Sequence, residues 1–235
     1  MLDELDVLCF GAHPDDVEIG MAGTISKMTE KGLKVGIIDL TQAEMSSNGD
    51  VNLRQTEASN AADILKISLR KNLFLKDRSL YVTEETVNLV VDVIRRYKPK
   101  VVFSPYFEDR HPDHGNCSKI IKEAVFSAGI RKWKANENLD AFRPTNHFYY
   151  IINGYQKPTF AVDISEHLDC KIKALEAYES QFFSNDKSIS TPLTNNYINA
   201  IIARDTVIGN QLGVKYAEGF ISETSLLVDL SIFGV

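Results

Sequence analysis

Residues 5–16 read LDVLCFGAHPDD, and residues 100–114 read KVVFSPYFEDRHPDH. In each stretch a short apolar run, Leu5–Phe10 or Lys100–Ser104, is followed by a His-Pro-Asp tetrapeptide. These are His13-Pro14-Asp15-Asp16 and His111-Pro112-Asp113-His114. A brief apolar run that stops at a turn reads as a buried strand. Between the two stretches, Glu18–Lys31 carries Ile19, Ala22, Ile25 and Met28 at helical spacing and stops at Gly32. Lys34–Leu40 is a β-branched run, and Thr41–Asp50 is a polar turn region containing Asn48-Gly49. Val51–Ile67 reads as a helix and Asn72–Leu75 as a short strand. Thr83–Tyr97 reads as a helix with Val87, Val90, Val91 and Ile94 inward, and Cys117–Ala128 as a helix ended by Gly129. Strands alternating with helices predict an α/β fold: a Rossmann-like, doubly wound, mostly parallel sheet with right-handed crossovers.

The second half is less regular. His147–Ile152 and Thr159–Ile164 read as strands, and Glu166–Glu179 and Asn195–Leu212 as helices. The apolar stretch Leu226, Leu227, Val228, Leu230, Ile232 and Phe233 reads as a core strand or a subunit seam. No flexible linker or internal repeat divides the chain, so residues 1–235 form a single expected domain. Its 44% hydrophobic and 25% charged residues are soluble-globular usage and exclude a disordered chain. A net charge of −6 disfavours nucleic acid as a partner, which needs clustered cations. No apolar run reaches the ~18 residues of a membrane span, and the N-terminus lacks the basic and apolar regions of a signal peptide. Three widely spaced cysteines without a CxxC pair argue against a thiolate zinc site and fit a reducing, cytoplasmic compartment.

The fold expectation and the motifs converge. In a doubly wound sheet the first strand lies beside the fourth, and ligands bind at the carboxyl ends of the strands where the order reverses. His13 follows the first expected strand and His111 the fourth, so both tetrapeptides reach one crevice. A proline opening a helical turn would place residues i and i+3 on one face. Two facing turns then offer up to four imidazole and carboxylate ligands plus two spare aspartates. One His-Pro-Asp alone reads as a capped turn; two at the switch point read as a metal site. Three N/O ligands with an open position suit catalytic zinc, and Fe2+ would also fit. Zinc is the expected ion, because it lowers the pKa of its water toward ~7. GAHPDDVEIG lacks the GxGxxG of a dinucleotide site, and no GxxxxGK[ST] occurs. Arg54 taken alone reads as a solvated helix residue beside Glu57.

Gly11-Ala12-His13-Pro14-Asp15-Asp16, Arg54 in RQTEASNAA, and Arg110-His111-Pro112-Asp113-His114 match, in order and spacing, the PIG-L (LmbE-like) family of zinc-dependent N-acetylglucosamine deacetylases. The resemblance covers essentially the whole chain. The form HPDDVEIG is similar to the bacillithiol-pathway branch, which deacetylates N-acetylglucosaminyl-malate, and to deacetylases of acetylated glucosamine and chitooligomers. It implies His13, Asp16 and His114 as zinc ligands, Asp15 as general base, and His111, oriented by Asp113, as the oxyanion stabiliser. It further implies that Arg54 contacts substrate and that Tyr197, in NNYINA, matches the mobile tyrosine of relatives. A carboxylate at Asp113 would favour the imidazolium form of His111. The topology brings Arg54 and Arg110 near the crevice, and a guanidinium pairs well with a carboxylate, so an anionic N-acetylglucosaminide is expected, malate first. Related proteins form trimers and hexamers, which implies a homo-oligomer. The reading of a different class is a non-catalytic sugar- or nucleotide-binding module on the same fold. Cys9 is expected in the core, Trp133 in loop packing, His147 as a structural histidine or a border of the pocket, and His167 at the surface.

Overall fold

The computed structural model of the chain describes residues 4–227. Strands β1 (Val7–Gly11), β2 (Val35–Thr41), β3 (Leu69–Leu75), β4 (Val101–Pro105) and β5 (Asn146–Tyr150) pair in parallel. β6 (Phe160–Asp163) and β7 (Ala217–Ile221) complete a seven-stranded sheet ordered β3-β2-β1-β4-β5-β7-β6. β7 is antiparallel to both its neighbours. The order reverses between β1 and β4, as the alternation of elements predicts.

Side chains alternate across a strand, so β1 feeds two cores. Val7 and Cys9 join a core with α1 (Asp16–Glu30), α2 (Val51–Leu65) and α5 (Leu168–Glu176). Leu8 and Phe10 join the opposite core, with α3 (Glu84–Tyr97) and α4 (Pro112–Ala128). Helix α1 lies so close to the sheet that a Cβ at Gly20 would collide with the Tyr150 ring. The Tyr150 hydroxyl in turn donates to the Phe10 carbonyl at 2.7 Å, tying β5 to β1.

Some expected boundaries move for identifiable reasons. β3 starts at Leu69, ahead of the expected Asn72, because Arg70 enters the sheet as a paired cation rather than an apolar residue. Its guanidinium bonds Asp39 at 2.9 and 3.0 Å and Glu18 at 2.5 Å. α4 starts at Pro112 instead of Cys117, because proline suits the first helical position. The expected helix Glu166–Glu179 divides into α5 and a short α6 (Glu179–Phe182), ahead of α7 (Tyr197–Gln211). At the C-terminus, Leu226 and Leu227 are exposed, and Val228, Leu230, Ile232 and Phe233 lie outside the described residues. Among the described residues no helix is long and apolar enough to cross a membrane.

Candidate metal centre and active-site cleft

The two tetrapeptides meet at the carboxyl edge of β1 and β4, and they enter their helices differently. After β1, Asp15 is the residue preceding α1 and takes a left-handed φ of 110°. That conformation costs a non-glycine residue about 1–3 kcal/mol and persists only where neighbours over-determine it. Arg54 of α2 supplies the restraint. Its Nη1 and Nη2 each lie 3.1 Å from Asp15 Oδ2, and Nη2 also donates to the Pro14 carbonyl. After β4, His111 is an extended N-cap whose own Nδ1 accepts the Asp113 N–H at 3.3 Å. Gly115 is needed next to His114, because a Cβ there would sit 2.9 Å from the Phe107 carbonyl oxygen.

Three histidines and a carboxylate converge between the turns. The rings of His13, His111 and His114 offer nitrogens within 4.8 Å of one another. Asp16 reaches two of them: Oδ1 is 3.1 Å from His114 Nε2, and Oδ2 is 3.5 Å from His13 Nδ1. Each of these two histidines has a further carboxylate behind its other nitrogen. Asp77 Oδ1 lies 3.2 Å from His13 Nε2, and Asp109 Oδ1 lies 3.0 Å from His114 Nδ1. A carboxylate behind an imidazole fixes the ring and raises its basicity, which is the usual support of metal-bound histidine. The donor set of two imidazoles and one carboxylate, backed in this way, fits a divalent metal at His13, Asp16 and His114. His13, Asp77 and Asp113 form a second grouping of possible ligand atoms, but the Asp113 carboxylate is already paired with Arg78.

These groups line an open cleft of about 190 Å³. Burial pulls the His114 pKa down, but the Asp16 and Asp109 carboxylates outweigh it and push it up to about 9. Burial would raise Asp16, yet His114 and His13 hold it well below the ordinary carboxylate range. Asp15 is different. Burial, aided by the Asp16 charge, outweighs Arg54 and pushes its pKa up to about 6. The turn therefore holds one firmly ionised carboxylate and one that exchanges a proton near neutrality.

Of the expected site residues, His13, Asp15, Asp16, Arg54, Arg110, His111, His114 and Tyr197 all line this cleft. Asp113 does not, and its expected role is corrected. Its carboxylate receives the Arg78 backbone N–H at 2.8 Å and Arg78 Nη1 at 2.9 Å, and its contact with His111 is through the backbone alone. His111 is likewise not held as imidazolium; burial first, then His114 and His13, lower its pKa. With Nδ1 accepting, the neutral ring carries its hydrogen on Nε2 and remains a donor. Arg54 is buried and pairs with Asp15, while Glu57 instead accepts from Ser180 at 2.7 and 2.8 Å. Among the described residues, Arg54 Nε has no partner, and the exposed Arg110 makes no ion pair. Tyr197 is half-buried, and burial pushes its pKa up to about 12. His147 is outside the cleft, bonded to Ser104 Oγ at 2.8 Å. Trp133 packs against the α3–α4 core, with Nε1 donating to Asn88. His167 is largely covered rather than at the surface, with Nδ1 3.0 Å from Ser26 Oγ. The sequence reading missed Asp77, Asp109 and Asn153. Their one available signal was position, since each follows a strand at the carboxyl edge.

Comparison with known proteins finds relatives over most of the chain. The family described as PIG-L, GlcNAc-PI de-N-acetylase, matches residues 8–125. A diacetylchitobiose deacetylase of Thermococcus kodakarensis is 32% identical over 92% of this chain and 82% of its own. A probable N-acetyl-alpha-D-glucosaminyl L-malate deacetylase 2 of Bacillus subtilis is 29% identical over 81% of this chain and 89% of its own. The crystal structure of the conserved protein TT1542 from Thermus thermophilus superposes with a TM-score of 0.88 at 37% identity, covering 96% of this chain and 97% of that one.

Proposed function

Because this chain belongs to the PIG-L family of deacetylases, whose relatives act on GlcNAc-type substrates, we propose that it removes the acetyl group from an N-acetylglucosaminide with the aid of a divalent metal, zinc before Fe2+. The observation that carries this reading is the pair of turns. They bring His13, Asp16 and His114 together and leave Asp15 beside them with a pKa of about 6. His13, Asp16 and His114 would hold the metal, which when bound supplies a Lewis acid and lowers the pKa of water. Asp15 takes a proton at its carboxylate as water adds to the amide carbon, and returns it to the departing amine. Arg54 keeps that carboxylate in place and limits how far its basicity rises. His111, neutral with its hydrogen on Nε2, donates to the carbonyl oxygen as negative charge develops there. Tyr197 borders the same space. Acetate and a free glucosamine amine leave.

For the rest of the substrate we favour an anionic aglycone, malate first. Arg110, exposed at the cleft and free of an ion pair among the described residues, suits a carboxylate bidentately. A neutral disaccharide is the second reading, favoured by the similarity to the diacetylchitobiose deacetylase. The three free cysteines, Cys9, Cys117 and Cys170, suit the cytoplasm. The test is acetate release from N-acetylglucosaminyl-malate, diacetylchitobiose and methyl N-acetylglucosaminide, before and after chelation and metal return. Release that is lost with chelator and restored by Zn2+ is expected, with the malate conjugate fastest. Metal-replete protein that releases no acetate from any of the three would refute the deacetylase reading, and diacetylchitobiose as the fastest substrate would refute the anionic one.

A further inference from the structure

We propose that Asn153 is a positioning residue of this centre: one side chain grips the carboxylate behind His114 and restrains the Tyr197 hydroxyl. The inference rests on the reading of His114 as a metal ligand. Asn153 follows β5 and lines the cleft. It holds Asp109 at two points, with Nδ2 donating to Oδ1 at 2.9 Å and its backbone N–H donating to Oδ2 at 3.2 Å. The His111 N–H adds a third bond to Oδ1 at 2.8 Å. Asp109 is buried, with 4% of its side chain exposed, and Oδ1 faces His114 Nδ1 at 3.0 Å. Donors on both oxygens fix the plane of the carboxylate. The contact with His114 Nδ1 is a close ion pair off the line of a hydrogen bond, so the position in which Asp109 is held limits where the His114 ring can lie.

The other end of the same amide faces the tyrosine. Tyr197 O–H donates to Asn153 Oδ1 at 2.8 Å and lies 3.2 Å from the Ile152 carbonyl oxygen. A phenol has one hydrogen, and here both acceptors are protein groups. Tyr197 must leave Asn153 before it can donate to a substrate oxygen. A leucine at position 153 would keep only the backbone bond to Asp109. Asparagine carries a donor and an acceptor on one short, planar group, and each is used once.

Supporting carboxylates of metal-bound histidine are worth about 10–100-fold in metal affinity. The experiment strips the metal from the parent protein, Asn153→Ala, Asn153→Asp, Asp109→Asn and the double variant Asp109→Asn/Asn153→Ala. Zn2+ is then titrated against a chromophoric chelator, and the melting temperature of each metal-free protein is measured. Asn153→Ala is expected to weaken Zn2+ binding about tenfold. Asn153→Asp, which keeps the acceptor for Tyr197 but sets a carboxylate against Asp109, should weaken it further, toward about a hundredfold. Metal-free melting should be unchanged in both. In the Asp109→Asn background, Asn153→Ala should add nothing. Zn2+ affinity within about twofold of the parent in both single variants, or an undiminished loss in the Asp109→Asn background, overturns the proposal. If Asn153→Ala does not fold, the isosteric Asn153→Asp carries the test. A parent protein that binds no Zn2+ refutes the metal centre itself, and the inference with it. A parent that binds Zn2+ beside indifferent variants refutes this inference alone.

Discussion

The two His-Pro-Asp turns share three letters and differ in where the helix begins. In the first, α1 begins at the fourth residue, Asp16, and the third residue is left outside in a left-handed conformation. In the second, α4 begins at the second residue, Pro112, and the third is already helical. The third-position aspartates therefore part company. Asp15 lines the cleft, whereas Asp113 lies behind it with Oδ2 3.6 Å from His13 Nε2, although each is paired with an arginine, Arg54 and Arg78 respectively. The fourth-position residues, Asp16 and His114, come within 3.1 Å of each other. A two-residue offset at a helix start thus converts one motif into two parts: a turn that presents a base and a ligand, and a turn that presents a donor and a ligand.

The largest effect tests whether both turns are required. His13→Ala and His114→Ala remove a ligand from opposite sides of the centre, and each should lose the metal on dialysis, because three ligands cannot become two without a large fall in affinity. Full metal occupancy in either variant, measured by elemental analysis, would remove that histidine from the ligand set, and in His114→Ala it would show that the first turn suffices. The next test sets the third positions against each other. Asp15→Asn should retain metal and lose about 10²–10⁴-fold in kcat, the usual cost of removing a general base. Asp113→Asn, which keeps the shape of the group behind His13, should stay within about tenfold of the parent, less than the usual cost of losing a base. Equal losses in the two variants would erase the distinction.

A smaller effect is expected at the rim. Arg110→Ala should shrink any preference for N-acetylglucosaminyl-malate over methyl N-acetylglucosaminide by about tenfold, as a charge-assisted bond contributes ~1.5–3 kcal/mol. An unchanged ratio of kcat/KM values would remove Arg110 from anion recognition. A last test separates stability from chemistry, using a histidine outside both turns. Burial, with a minor contribution from Lys122, brings the His147 pKa down to about 4 against the opposing Glu223. The unfolded chain, with an ordinary histidine pKa near ~6.5, then binds more protons between about pH 4 and 6.5, so this group's contribution is complete above the upper value and is lost as pH falls toward the lower one. His147→Gln should flatten that part of the denaturation profile. An identical pH dependence in parent and variant would contradict it.

The alternation of apolar runs with 3.6-residue periodicity carried the parallel half of the sheet, the pairing of its first and fourth strands and the meeting of the two turns, because crossover handedness leaves few topologies to choose among. Residue type carried the candidate ligands, since imidazole and carboxylate chemistry is the same in any fold. Three things needed tertiary structure. Arg70 lies ahead of the expected strand Asn72–Leu75, and its place in β3 depends on Asp39 and Glu18 beside it. Asp77, Asp109 and Asn153 come from separate loops, and nothing local marks them as neighbours of His13, His114 and Tyr197. The contrast between Asp15 and Asp113 follows from backbone conformation and from arginines on other elements. Sequence specifies which groups are present and the regular elements that carry them. The direction each group faces, and the charge beside it, depend on contacts between segments distant along the chain, and those exist only once the chain is packed.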